Sequence, residues 1–301
     1  MSQRPGAIIL TIVIALAIGG GIAAAGSAAG QTLGGIPLFA LAVVAAFGVQ
    51  VLAYIPAVLL RTEKFFDLTG GLTFAVVAIG LLVAVAPAGV RAWMLVVMIV
   101  VWGVRLSVFL FVRVHAQGSD GRFDDIKTNP LAFLRVWIIQ GLWVVATSSA
   151  AWVGITAGPR GGGADGAGGV DGVDAWIVIG GLVWLAGIVL EIVADAQKAS
   201  FRRDPAKRGR FIDRGVWAWS RHPNYLGEIL VWVGVAIVAL PVAVGWQWVT
   251  IISPVFVVLL LTRVSGIPLL EKRADERWGD EPAYREYKKR TPVLVPGFGR
   301  G

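Results

Sequence analysis

The densest group of polar and aromatic side chains in this sequence occupies residues 214–228, Arg-Gly-Val-Trp-Ala-Trp-Ser-Arg-His-Pro-Asn-Tyr-Leu-Gly-Glu. Pro223 can begin a helix, and Asn224, Glu228 and Trp232 then follow one another at intervals of four residues, which places them on one helical face. An amide, a carboxylate and an indole on one face can together contact a planar polar ligand. Aromatic residues also anchor helices at a membrane interface, but that role does not account for a glutamate beneath them.

A second polar group ends the apolar segment that precedes this motif. Glu191, Asp195 and Lys198 recur at spacings of four and three residues and share a helical face. Because an ionisable side chain at membrane depth is costly, Glu191, two turns inside the apolar run, indicates a polar cavity. The alternative is a solvated helix end with an ion pair, which explains Lys198 better than Glu191.

The segment between these two groups is the most basic part of the chain, with eight Lys or Arg residues between positions 198 and 221. One interpretation is contact with anionic lipid headgroups. The other is a phosphate-binding site, because arginine offers paired hydrogen-bond donors to phosphate. Charge alone does not separate them, and the adjacent motif favours the phosphate site.

The composition indicates a multi-spanning membrane protein. The chain has 301 residues, of which 56% are hydrophobic and only 15% charged, where soluble domains carry about 25% charged residues. We therefore expect one integral-membrane domain over residues 1–301. With no cysteine and two histidines, neither disulfides nor a metal centre is expected. Loop charges of a membrane protein account for the net charge of +8, and no nucleic acid is expected as a partner.

Eight apolar segments are long enough to cross a bilayer as helices. They cover about 7–27, 37–60, 68–86, 91–112, 131–156, 175–197, 225–241 and 246–264. The first is longer than the apolar region of a signal peptide, and we interpret it as a transmembrane helix. Basic residues fall in alternate loops, which predicts an even number of spans with both termini in the cytoplasm. The predicted fold is an all-α polytopic transmembrane helix bundle.

Two segments outside the spans complete the prediction. The glycine-rich stretch 157–174 lacks the Lys-Ser/Thr ending of a phosphate-binding loop and is predicted to be a flexible linker. Residues 271–290 mix charges with aromatics and are predicted to form an amphipathic helix over the site. Pro292 and Pro296 should then end regular structure.

Four segments together resemble the C-terminal domain of the steroid 5-alpha-reductase family, and most of all a bacterial branch of membrane proteins within it. They are residues 195–198, 215–228, 265–271 and 284–296. The resemblance covers about 60–300, including a cytoplasmic tail at 265–301, and is strongest over 191–296. It implies a membrane-embedded reductase that uses NADPH to reduce a carbon–carbon double bond conjugated to a ketone. The substrate would be a lipophilic, steroid- or isoprenoid-like molecule, and the cofactor site would face the cytoplasm from a bacterial inner membrane.

The resemblance also implies roles for individual residues. The cofactor pocket would be lined by Asp195, Lys198, Arg202, Arg210, Trp219, Arg221, His222, Asn224, Tyr225, Glu228 and Trp232, and closed by Glu271, Tyr284 and Tyr287. At the substrate end the family uses an acid and a tyrosine. Asp67 can supply the acid, but Trp102 stands where the tyrosine is expected, and an indole N–H donates a hydrogen bond without delivering a proton. The proton donor and the substrate therefore stay open.

A further charged group lies near the fourth predicted helix. It consists of Arg105, Arg113 and the pair Asp120 and Arg122. These residues either close the cofactor site or form a charge cluster at the end of the helix. Their spacing does not distinguish the two interpretations.

Other functions fit parts of the pattern. The Arg-His-Pro-x-Tyr core at 221–225 also occurs in isoprenylcysteine and phospholipid methyltransferases, which bind S-adenosylmethionine at a similar place. A methyltransferase acting on a membrane lipid or a prenyl group is therefore the alternative. A scaffold or transporter is a third class, but the concentration of polar groups on one face argues against it. The oligomeric state is open.

Overall fold

The computed structural model describes residues 4–85, 87–117, 123–157 and 172–297, with the backbone alone for 113–117. Most of the predicted linker at 157–174 and the pair Asp120 and Arg122 lie outside these ranges. The described residues form α1 (Pro5–Gly26), α2 (Leu38–Leu59), α3 (Phe66–Ala84), α4 (Val90–Gln117), α5 (Pro130–Thr156), α6 (Ala175–Arg203), α7 (Pro223–Ala239), α8 (Ile252–Leu259), α9 (Ile267–Trp278) and α10 (Pro282–Arg290). A short antiparallel pair of strands, β1 (Thr32–Leu33) and β2 (Ile36–Pro37), joins α1 to α2.

Eight helical segments within the described residues are long and apolar enough to cross a membrane. They are Pro5–Gly26, Leu38–Leu59, Phe66–Ala84, Val90–Val112, Pro130–Thr156, Ala175–Arg203, Pro223–Val242 and Gly245–Trp278. They coincide with the eight predicted segments, which confirms the all-α, polytopic membrane fold. The placement of both termini in the cytoplasm stays a prediction from loop charge.

The eighth segment differs from a regular α-helix. It begins as a 3₁₀ helix at Gly245–Ile251, continues as α8 and passes through π-helical turns at Leu260–Val264 before α9.

The tail that follows was predicted to be one helix over 271–290, and that prediction is wrong. Gly279 follows the end of α9, and Pro282 begins α10, because a proline lacks the amide hydrogen needed inside a helix. As predicted, regular structure ends before Pro292.

The chain divides into two compact units. Unit 1 comprises Met1–Val178 and Ala236–Ser253, and unit 2 comprises Ile179–Val235 and Pro254–Gly301. In unit 1, α5 packs against α1, α2, α3 and α4. The first helix is part of this core: the Gln247 amide donates hydrogen bonds to the carbonyl oxygens of Gly26, the last residue of α1, and of Ala29, at 3.1 and 2.8 Å.

In unit 2, α6 and α7 approach each other through glycine residues. A Cβ atom at Gly187 would lie 2.6 Å from the Val231 nitrogen and 2.7 Å from the Gly227 oxygen, and one at Gly227 would lie 2.7 Å from the Glu191 nitrogen. Small residues of this kind let transmembrane helices pack with their backbones close together. The contact holds the polar end of α6 against the first turns of α7.

We predict that Gly187→Ala destabilises the protein by about 1–3 kcal/mol, because backbone atoms of α7 cannot move aside for the added methyl group. The measurement is the unfolding temperature of the purified protein in detergent. Gly80→Ala is the matched control, since nothing lies within 4 Å of a Cβ atom at that helical position, and it should be neutral or slightly stabilising. Equal unfolding temperatures for the two variants would contradict the close contact.

Candidate functional site

Unit 2 contains a cavity of about 380 Å³, within the size range of small-molecule sites. It lies among the end of α6, the loop that follows it, α9 and α10. The lining residues are Lys198, Phe201, Arg202, Arg210, Phe211, Ile212, Trp217, Arg221, His222, Leu270, Glu271, Arg273, Ala274, Arg277, Trp278, Tyr284 and Tyr287.

One wall of the cavity is aromatic and centres on Phe211. Its ring centroid lies 5.2 Å from that of Tyr284, 5.4 Å from that of Tyr287 and 6.1 Å from that of Trp278. Aromatic pairs at such distances stabilise packing beyond the area that they bury. The loop residue and the two tail helices therefore form one continuous apolar surface.

Trp217 also lines the cavity and is held at three points. Its indole nitrogen donates to the Ala194 carbonyl oxygen at 3.1 Å, and its own carbonyl oxygen accepts from the Tyr287 hydroxyl at 2.7 Å. The Lys198 ammonium lies 4.7 Å from the centre of the ring, within range of a cation–π interaction. This residue is 4% exposed, so its ring has a fixed position.

The loop backbone beside Trp217 depends on Gly215. This glycine has a φ of +60°, and an added Cβ atom would lie 2.4 Å from Oε1 of Gln197 on α6. The same oxygen accepts a hydrogen bond from the Val216 amide at 3.1 Å. Glycine is therefore required here both for the left-handed conformation and for the close approach to α6.

A strap of residues 291–293, directly after α10, ties the tail to the motif. The Arg221 amide donates to the Pro292 carbonyl oxygen at 3.0 Å. The Ser220 hydroxyl donates to the Val293 carbonyl oxygen at 3.3 Å, and the Thr291 hydroxyl donates to that of Ala218 at 3.4 Å. These bonds hold the loop that carries Arg221 and His222 in place.

Glu271 joins three cationic or neutral partners at the floor of the cavity. Its Oε1 lies 2.8 Å from Nε2 of His222, and its Oε2 lies 3.1 Å from Nη1 of Arg221 and 3.5 Å from Nζ of Lys288. The Arg221 contact is an ion pair without hydrogen-bond geometry: Nε and Nη1 of Arg221 are both buried and donate to no atom of the described residues. Two guanidinium donors are thus available to a ligand.

Burial sets the protonation of the titratable groups around this floor. It lowers the pKa of His222, and the hydrogen bond to Glu271 opposes only part of that shift. His222 is therefore neutral near pH 7, and its Nε2 carries the hydrogen shared with the carboxylate. Burial also raises the pKa of Tyr284 and Tyr287, so both phenols remain hydrogen-bond donors.

The cavity favours anions. Its lining has six cationic side chains against the single carboxylate of Glu271, and His222 adds no charge near pH 7. Arg202, Arg210, Arg273 and Arg277 are largely exposed around it. Clefts lined by one sign of charge concentrate ligands of the opposite sign.

The structure brings together eight of the fourteen residues predicted to bind a cofactor. The eight that line the cavity are Lys198, Arg202, Arg210, Arg221, His222, Glu271, Tyr284 and Tyr287. Trp219 does not: it is 67% exposed, whereas Trp217, two residues earlier, forms the wall. Asp195, Asn224, Tyr225, Glu228 and Trp232 belong to unit 2 but are not among the lining residues.

The first turn of α7 provides another polar position. Oδ1 of Asn224 is buried and accepts no hydrogen bond from the described residues, while the ring of Tyr225 stacks on that of His222 at 5.8 Å and 13°. Glu191, predicted to mark a polar cavity, is 4% exposed, lies against Gly227 and is not among the residues that line the cavity. The observed cavity begins two turns further along α6, at Lys198.

The two residues predicted to act on the substrate belong to unit 1. Asp67 is half-buried in the first turn of α3. Trp102 on α4 is fully buried, and its ring lies 5.1 Å from that of Phe74 and 6.5 Å from that of Trp143. The Arg105 guanidinium lies 6.0 Å from the ring of Phe109, and the Arg113 side chain is outside the description.

Sequence reasoning missed about half of the lining. The missed residues are Phe201, Phe211, Ile212, Trp217, Leu270, Arg273, Ala274, Arg277 and Trp278. A signal was present in α9, where Leu270, Ala274 and Arg277 recur at spacings of four and three residues and share one face. Tyr284 and Tyr287 show the same three-residue spacing on α10.

Fold and site together define a polytopic membrane protein with a cavity in one of its two units that is lined by aromatic and mostly basic side chains. The profile of the family described as "Protein of unknown function (DUF1295)" matches residues 53–291, and the chain belongs to that family. The match includes every residue that lines the cavity. No curated protein and no solved structure matches the chain significantly.

We predict that the stability of the protein decreases as the pH falls below the ordinary histidine pKa of 6.5. The folded state holds His222 neutral, so the unfolded chain binds more protons between 6.5 and the lowered pKa, and the free energy of unfolding falls with pH over that window. His222→Gln, which cannot titrate, should show a smaller loss of unfolding temperature between pH 7 and pH 5.

His115→Gln is the control for this measurement, because His115 is the second histidine of the chain. It should keep the wild-type dependence on pH. A full wild-type dependence in His222→Gln would show that His222 is not the group responsible.

Proposed function

We propose that the protein is a membrane-embedded reductase that uses NADPH to reduce a carbon–carbon double bond conjugated to a ketone in a lipophilic substrate. The observation that carries the proposal is the cavity of unit 2, which combines aromatic walls with six cationic side chains. A nucleotide cofactor has the same two parts, planar rings and phosphates. The steroid- or isoprenoid-like nature of the substrate rests on the resemblance of the motifs.

The described residues fit such a cofactor. Arg202, Arg210, Arg273 and Arg277 offer paired donors to phosphate oxygens. Arg221 lines the cavity and contributes buried Nε and Nη1 donors that have no acceptor among the described residues. Because an unsatisfied buried polar group is unfavourable, a phosphate-bearing ligand would stabilise this position.

The same charges disfavour S-adenosylmethionine. That ligand carries a cationic sulfonium and an ammonium group, and a cavity with six cations and one carboxylate repels them. A methyltransferase therefore stays the alternative only because of its shared Arg-His-Pro-x-Tyr core. The distribution of basic loops predicts that the cavity faces the cytoplasm of a bacterial inner membrane.

When bound, NADPH supplies a hydride, which adds to the carbon distal to the ketone while a proton adds to the carbon next to it. The chain would assist by polarising the ketone oxygen. By the resemblance alone, the Trp102 indole would donate this hydrogen bond and Asp67 would be the acid at the substrate end, and the source of the proton stays open because an indole N–H does not deliver one. In unit 2, the Trp217 and Phe211 walls would orient the planar rings.

We predict that NADPH raises the unfolding temperature of the purified protein, that NADH does so less, and that S-adenosylmethionine has no effect. Ligand binding to the folded state alone stabilises it in proportion to affinity, and the extra phosphate of NADPH adds contacts with arginine. Stabilisation by S-adenosylmethionine without stabilisation by NADPH would reverse the assignment in favour of a methyltransferase.

A matched pair of variants tests the site itself. Arg221→Gln should weaken NADPH binding by about tenfold or more, because charged hydrogen bonds to a buried guanidinium are among the stronger ones. Arg214→Gln should bind normally, since Arg214 lies in the same loop, is 73% exposed and does not line the cavity. NADPH affinity is measured by equilibrium titration, and equal affinities would remove Arg221 from the site.

A further inference from the structure

Unit 1 contains a second set of buried polar atoms, where α2, α3 and α5 meet. Gln50 and Trp137 are fully buried, and Gln140 is 6% exposed. Within the part of the chain that the structure describes, Oε1 of each glutamine and Nε1 of Trp137 have no hydrogen-bond partner. Two acceptors and one donor thus stay unsatisfied in an apolar interior, where such groups are costly.

The orientation of both amides follows from their partners. Nε2 of Gln50 donates to the Thr73 hydroxyl oxygen at 2.9 Å, and that hydroxyl donates its own hydrogen to the Thr69 carbonyl oxygen at 2.6 Å. Nε2 of Gln140 donates to the Phe66 carbonyl oxygen at 3.1 Å. A reversed amide would place two acceptors against each other in either case. The unsatisfied atoms are therefore the two amide oxygens.

The two glutamines approach the same face of α3. Phe66, Gly70 and Thr73 share that face, and a Cβ atom at Gly70 would lie 2.2 Å from Nε2 of Gln140. Only glycine at position 70 therefore lets the amide reach the backbone of α3.

The same region connects Gln50 with α5. The Cγ atom of Gln50 lies 3.4 Å from the Cβ position of Gly141, the residue after Gln140. Trp137, one turn earlier on α5, places its ring 4.9 Å from that of Phe66. The three unsatisfied atoms thus belong to side chains that all contact residues 66–73 of α3.

The side chains packed around Trp137 are apolar. Ala57, Phe66, Phe123, Phe133 and Trp137 form one buried cluster. A ligand that satisfies the polar atoms must therefore carry a compact hydrogen-bonding group on a hydrocarbon skeleton.

We propose that Gln50, Gln140 and Trp137 form a binding site for the hydroxyl group of a lipid alcohol. The indole N–H of Trp137 donates to the hydroxyl oxygen, and the two amide oxygens share the hydroxyl hydrogen in a three-centred hydrogen bond. The ketone of the proposed reductase reaction cannot replace this group, because a ketone has no hydrogen to donate. The site goes beyond the proposed function, since its three polar atoms are unsatisfied whichever cofactor unit 2 binds.

The test compares alcohols with their methyl ethers, which keep the skeleton and the oxygen but lose the donor. Purified full-length protein in detergent is titrated with hexadecanol, farnesol and cholesterol, each beside its methyl ether. We expect at least one alcohol to bind about tenfold tighter than its ether. If no alcohol binds more tightly than its methyl ether, a water molecule alone satisfies the amides and the proposal fails.

Variants then locate the effect. Gln50→Met and Gln140→Met keep the side-chain length and each removes one of the two acceptors, so the preference for the alcohol should fall in each variant and reach about onefold in the double variant. Each variant removes an unsatisfied buried oxygen together with the one hydrogen bond that the amide nitrogen donates, so without ligand the unfolding temperatures should lie close to that of the wild type. Gln31→Met, a glutamine of unit 1 outside the site, should keep the preference, and a preference kept in the two site variants would overturn the assignment.

The two proposals fail separately. The alcohol comparison is made without NADPH and needs no enzymatic turnover. Its result therefore stays valid if the protein is not a reductase. The comparison on the wild-type protein also does not depend on any variant folding correctly.

Discussion

The carboxylate of Glu271 is the interaction on which the arrangement of unit 2 depends. It belongs to α9, yet it contacts Arg221 and His222 from the loop before α7 and Lys288 from α10. Three segments that are distant in the sequence meet at its two oxygens. The Arg221 and Glu271 side chains are only 9% and 19% exposed, and buried charges are tolerated only when they are paired. The arginine side chains of the cavity outnumber this one carboxylate, so positive charge is left to bind a ligand.

The two candidate sites bury polar groups in different ways. Unit 2 places charged groups at a helix end, where they pair with one another and surround a cavity open to anions. Unit 1 places uncharged amides inside its helices, where Gln50 and Gln140 satisfy their nitrogens and leave their oxygens. A charged side chain in place of Gln50 or Gln140 would be far more costly at membrane depth. The chemistry of each site therefore follows from its depth in the protein.

The sequence predicts the spans well because length and apolarity alone determine whether a helix can cross a bilayer. It predicts the site less completely. Trp217 and Trp219 are equivalent in the pattern, and only the short 3₁₀ turn at Gly215–Ala218 decides which ring faces inward. Arg273 and Arg277 were not predicted to line the cavity, because residues 271–290 were interpreted as one helix without the break before Pro282. Gln50 and Gln140 are single uncharged residues within apolar segments, and nothing in their spacing indicates that they meet.

The strap at residues 291–293 also bears on biosynthesis. The loop that carries Arg221 and His222 leaves the ribosome some seventy residues before Pro292 and Val293, to which it is hydrogen-bonded. Its preceding helices can enter the membrane as they are made, but the loop itself has no partners for these bonds until the last part of the chain has been synthesised. The cavity of unit 2 is therefore completed only after translation has passed the strap, so that a chain stalled before it would be inserted and yet lack the closed cavity.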